Sequence, residues 1–121
     1  MATTNAVASG GKGGDASTPQ RRVLIGALGD ILLHVELQKQ GLAAKSGFAV
    51  IWASVEDLLA RPDITYANLE TPLAAGVGRD GEELTDPGRV YDGKVYSSYP
   101  RFNVHPSLAT ALVKSGFDVV S

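Results

Sequence analysis

Three short segments place oxygen donors where chemistry could occur. Gly29-Asp30 follows one apolar run, Asn68-Leu69-Glu70 ends another, and Ser121 ends a third. In an open α/β sheet, ligands gather at the carboxyl ends of the strands. Carboxylate and amide oxygens delivered side by side there suit a divalent cation. Each residue also has a plainer role open to it. From spacing alone, Asp30 is read as the N-cap of the helix that follows. Glu70 could pair with Arg61 or Arg101, and Asn68 could cap a turn. His34 lies four residues after Asp30, so a helix through both would put them on one face. His105 precedes Pro106 and is read as a residue at a helix start or pocket rim.

These residues need a scaffold, and the chain supplies one. Val23 to Leu28 is a continuous apolar run, the pattern of a strand buried on both faces of a parallel sheet. A helix is expected over Ile31 to about Ala44. Phe48, Ile51, Trp52, Val55, Leu58 and Leu59 then form a stripe at helical spacing, ended by Pro62. Ile64 to Glu70 reads as a second strand, Pro106 to Ser115 as a helix with Gly116 after its end, and Phe117 to Val120 as a third buried strand. Strands joined by helices imply a mainly parallel α/β sheet.

Residues 74–100 interrupt this order. They are rich in Gly, Asp, Glu and Tyr, and have no helical period. Asp80-Gly81 and Asp92-Gly93 are both type I′ turn signals, and the second, flanked by Arg89-Val90-Tyr91 and Lys94-Val95-Tyr96, predicts a β-hairpin excursion. Tyr96, Tyr99 and Arg101 lie where this excursion rejoins the core, in reach of a substrate.

Composition bounds the rest. The 121 residues include no cysteine, which excludes a disulfide scaffold, a thiol nucleophile and thiolate metal sites. Eleven basic and 13 acidic side chains leave a net charge of −2, without the basic excess of a nucleic-acid binder. No apolar run approaches the ~20 residues of a membrane span, and no signal peptide is readable at the start. Residues 1–20 are mostly small and polar and read as a flexible tail. The GGKGG within them lacks the Ser or Thr and the preceding strand of a phosphate-binding loop.

Read in order, GDILLH (Gly29 to His34), VEDLLARPDITYANLETPLA (Val55 to Ala74) and YPRFNVHPSLATALVKSGFDVVS (Tyr99 to Ser121) resemble the N-terminal part of the CapA, or poly-γ-glutamate capsule-synthesis, family. The resemblance implies a partial metallophosphatase-like fold, an α/β/β/α sandwich, over residues 21–121. It also implies a metal site with Asp30, Asn68 and Glu70 as members, and His34, by its position one helical turn after Asp30, is a further candidate ligand. The ions would be of Mn, Zn or Mg type, bound in the full-length protein. The family's next contribution, an Ala-Asn-Asn-His segment after the strand that here ends in Val-Val-Ser, is not in this sequence. The chain is therefore expected to be truncated at its third core strand, inactive alone and prone to aggregate. Tyr99, Arg101 and His105 would lie toward a substrate, either an anionic polymer or a small molecule. Partners in a capsule-synthesis complex are implied too, and family members commonly work at the cell envelope. Hydrolysis, a non-catalytic binding or assembly role in capsule export, and an inactive stand-alone α/β domain all stay open at this point.

Overall fold

The computed structural model describes residues 20–121, so the expected tail and its GGKGG lie outside the described residues, Gln20 excepted. Three parallel strands form one sheet in the order β1 (Ile25–Ile31), β2 (Ile64–Leu69), β3 (Val119–Val120). Three α-helices accompany them: α1 (Val35–Ala43), α2 (Glu56–Leu59) and α3 (Ser107–Lys114). The α/β class and the parallel sheet are as expected.

Alternation along β2 sorts the sheet into two unlike faces. Thr65 and Ala67 point into the core and are 1% and 0% exposed, whereas Ile64 on the other face is 39% exposed. Phe48, Leu59, Leu108, Leu112 and Phe117 form the core with Ala67. Thr65 is tied to this layer by its hydroxyl, which donates to the Leu59 carbonyl at 3.0 Å. Asp118 continues the seam between β2 and β3: its carboxylate accepts the Thr65 N–H at 2.8 Å, and its own N–H donates to the Thr65 carbonyl at 2.9 Å.

Several expectations are corrected. The first strand begins two residues late and runs through Asp30 to Ile31, and it is not buried on both faces: Val23, Leu24 and Ile25 are all exposed. Being at the edge of the sheet, β1 has β2 on one side only. The third strand shrinks to Val119–Val120, both exposed, while Phe117 is buried ahead of it. The helix over Ile31–Ala44 starts four residues late, because β1 takes up its first residue.

The apolar stripe from Phe48 to Leu59 is not one helix. It divides into 3-10 turns at Gly47–Ile51 and Ala53–Val55, followed by α2. Trp52 and Val55, near φ −118° and −120°, mark the breaks. Val50, Ile51 and Val55 are β-branched and favour helix poorly. Trp52 instead takes an edge-on contact with Phe117, with ring centroids 5.6 Å apart.

The hairpin expected at Asp92-Gly93 is absent; the isolated antiparallel bridges lie elsewhere, between Val77 and Glu83 around Asp80-Gly81 and between Ser97 and Asn103. Among the described residues no non-glycine residue has positive φ, so neither turn is type I′, which needs it at both central positions. The Asp92 carboxylate explains the loop that forms instead. It accepts the N–H groups of Lys94, Val95 and Tyr96, which closes a compact turn and leaves no ladder. Asn103 anchors the excursion from beneath, donating to the carbonyls of Ala74 and Val95 and accepting the Ala74 N–H.

Candidate functional site

Asp30 and Asn68 are brought together by a register shift. Ala27 is opposite Tyr66, but Asp30, not Gly29, is opposite Asn68. Over this stretch β1 advances three residues while β2 advances two, the signature of a one-residue bulge. In regular pairing Gly29 would face Asn68, and Asp30 would turn to the helical side with Leu69. The bulge re-aims the Asp30 carboxylate onto the open face, where Asn68 Nδ2 donates to its Oδ1 at 2.9 Å.

The contact extends across all three strands. Ser121 Oγ donates to Asn68 Oδ1 at 3.2 Å, and Tyr66 Oη is 2.7 Å from Ser121 Oγ. Because the single serine proton is committed to Asn68, Tyr66 must be the donor to Ser121. Donation therefore runs one way, from Tyr66 to Ser121 to Asn68 to Asp30, and ends on the carboxylate. Asp30 and Ser121 are exposed, and Asn68 and Tyr66 are half-buried. The result is an oxygen-rich, solvent-facing cluster whose acceptors suit a hard cation.

Asp30 is thus not the cap of α1, a role it is read as holding from spacing alone. It lies inside β1, and His34 occupies the N-cap position without a side-chain cap bond. Nor do Asp30 and His34 share a helix face: the His34 ring packs edge-on against Phe102, at 5.0 Å between centroids. Glu70 sits one residue past β2, its N–H donating to the Ile31 carbonyl at 3.3 Å and its side chain exposed. Among the described residues it pairs with neither Arg61 nor Arg101, and no group of three His, Cys, Asp or Glu side chains is close enough to hold a metal. The sheet therefore assembles Asp30 and Asn68, with Glu70 near the same strand end, while His34 is held elsewhere. As a donor set this fits a cation that keeps much of its water, as Mg²⁺ does, better than the closed tetrahedral site of Zn²⁺.

Tyr66 is the member that reading strand ends missed. The signal was present: it is two residues before Asn68 on the same strand, hence on the same face.

The three residues expected to lie toward a substrate are held by the excursion and α3. Tyr99 is 77% exposed, and its carbonyl accepts from Arg79 at 3.4 Å. Arg101 pairs with Asp80 and donates to the Arg79 carbonyl at 3.0 Å. It borders a hollow of about 300 Å³ shared with Phe102 and Asn103. His105 Nδ1 accepts the Ser107 N–H at 3.0 Å, so it satisfies a free donor at the start of α3. Its ring also packs at 4.9 Å against Tyr96. Tyr96, expected in reach of a substrate, is instead fully buried, and it donates to Asp86 Oδ1 at 2.7 Å. That bond, with the Gly88 N–H, holds the Asp86 carboxyl below its ordinary range. Burial first, and then the Asp86 bond, pushes the Tyr96 hydroxyl up. Burial lowers His105, against the opposing pull of Asp86 and with a further push from Arg89.

A family model described as bacterial capsule synthesis protein matches residues 24–121. No curated protein and no solved structure was found to match the chain.

Proposed function

The chain belongs to the bacterial capsule synthesis protein family, and from that membership we propose that its Asp30–Asn68 pair takes part in holding a divalent cation for handling an acidic capsule polymer of poly-γ-glutamate type. The observation that supports this is the bulge that turns Asp30 toward Asn68 and away from the helical layer. Asp30 supplies the charged oxygen, and Asn68 Oδ1 a neutral one. Glu70, two residues after Asn68 and one past the end of β2, supplies a second carboxylate when its exposed side chain swings inward. Tyr66 and Ser121 hold Asn68 in orientation through their one-way chain of hydrogen bonds. A bound Mn²⁺ or Mg²⁺ would act as a Lewis acid toward a carboxylate or phosphate oxygen of the ligand. All-oxygen ligation favours those ions over Zn²⁺. In this reading the family resembles metal-dependent phosphatases, and Tyr99 and Arg101, on the excursion, contact the polymer or its precursor.

The test is a Mn²⁺ titration of the chain followed by calorimetry or by the spin resonance of free Mn²⁺. Asp30→Ala is expected to weaken binding at least about 10-fold, the lower end of what losing even an outer-shell partner costs a metal site. Asn68→Ala is expected to act in the same direction. Equal binding by the parent and Asp30→Ala would remove the metal role.

A further inference from the structure

A second concave site lies on the helical side of the molecule and shares no residue with the Asp30 cluster. It is a hollow of about 230 Å³ between the end of α1, the first 3-10 turn and α3. Its rim carries Lys45, Arg89 and Lys114, and its walls carry the hydroxyls of Ser46, Ser107 and Thr110. Phe48, fully buried, is its floor. No acidic residue lines it, although the chain as a whole has a net charge of −2.

We propose that this hollow is an oxyanion-binding site, taking a phosphate or carboxylate group carried on a larger acidic ligand. Three cations converge on one concavity, and neither Lys45 nor Lys114 has an ion-pair partner among the described residues. Arg89 is fixed in place: one Nη donates to the Leu42 carbonyl at 3.2 Å, which leaves its other N–H groups free to donate. Gly47, in a left-handed conformation at φ 67°, brings the backbone under this guanidinium; a Cβ there would lie 3.9 Å from Arg89 Nη2. Asp86, on the adjoining loop, makes no ion pair with Arg89 among the described residues. A guanidinium held by a backbone carbonyl, with two exposed ammonium groups and several hydroxyls, is the donor set that oxyanions favour. The site stands whether or not the strand ends bind a metal.

The experiment is an amide NMR titration of the chain at constant ionic strength, with inorganic phosphate in one arm and a γ-linked hexaglutamate in the other. Saturable shifts are expected at residues 45–48 and 107–114, with dissociation constants of about millimolar order or tighter. The exposed double variant Lys45→Glu/Lys114→Glu should weaken binding at least about 10-fold while melting like the parent. Thr110→Glu, which puts a carboxylate into the mouth, should do the same. Saturation by phosphate alone assigns a phosphoryl group, and saturation by hexaglutamate alone assigns a carboxylate chain. Shifts reproduced by sodium chloride at equal ionic strength would overturn the proposal, as would unaltered binding by both charge variants.

Discussion

At the scale of single residues, the side chain whose surroundings most clearly set its protonation is His105. It accepts a hydrogen bond at Nδ1 from the Ser107 N–H, a role only the unprotonated nitrogen can fill. Burial favours the same neutral form, more than the Asp86 carboxylate favours the cation. Its folded pKa therefore lies below the ordinary 6.5. With a depressed folded value, the unfolded state binds more protons in the interval between the two pKa values, so stability rises with pH across it. The contribution is complete above 6.5 and is lost as pH falls through that value toward the lower, folded one. Asp86 behaves as a carboxylate of lowered pKa, and its contribution disappears only below 3.8, in a separate window. The melting temperature of the chain is expected to climb as pH rises toward 6.5 from below, and His105→Gln should flatten that climb. Parallel melting curves for the two proteins across this range would show that His105 does not couple to folding.

At the scale of elements, the contact between α1 and the first 3-10 turn depends on a residue with no side chain. Gly41 lies inside α1, where glycine costs roughly 1 kcal/mol relative to alanine. It is there because Phe48 occupies the space: a Cβ on Gly41 would fall 2.1 Å from Phe48 Cδ1, and Phe48 is fully buried. Gly41→Ala gains the helix propensity but must displace the ring, and overpacking costs about 1–3 kcal/mol. A net loss of about 1–2 kcal/mol follows, or a melting temperature lower by several degrees. Gly29→Ala is the contrast, since a Cβ there meets nothing within 4 Å and its φ is not positive. Thermal denaturation of the two variants decides the matter, and an unchanged Gly41→Ala would show that the ring moves freely. These two glycines also mark what the sequence could and could not reveal. Strand β2 and helix α3 were legible because their patterns sit next to proline and glycine boundaries that agree with them. The Phe48–Leu59 stripe was misread because its β-branched residues and the Trp52–Phe117 contact outweigh its helical period. Gly29-Asp30 was legible as a pair worth noticing, but the bulge that gives it meaning is a relation between two strands, and no local pattern encodes it.

At the scale of the whole molecule, the sheet has one central strand and two edges. Among the described residues only β2 is paired on both sides, so β1 and β3 each present an unpaired backbone row. The apolar surface beside those edges is extensive. Leu28, Val55 and Leu58 are exposed around a hollow of about 320 Å³ along β1, with Ile25 exposed on the same strand. Val113, Val119 and Val120 are exposed around a smaller hollow of about 150 Å³ along β3. Open strand edges flanked by apolar side chains are templates for pairing with another chain. The polar cluster of Asp30, Asn68 and Ser121 occupies only the carboxyl end of the open face, and its amino end is Ile25, Ile64 and Val119. Charge does little to keep copies apart, because a net −2 spread over 121 residues is weak repulsion. Self-association is therefore expected at about 100 μM, visible as a concentration-dependent sedimentation coefficient. Ile25→Lys with Val119→Lys puts a cation on each edge strand, and the pair should restore the monomer without lowering the melting temperature, since both side chains are already exposed. A parent chain that sediments as a monomer throughout that range would mean that the apolar face and the open edges are quiet on their own.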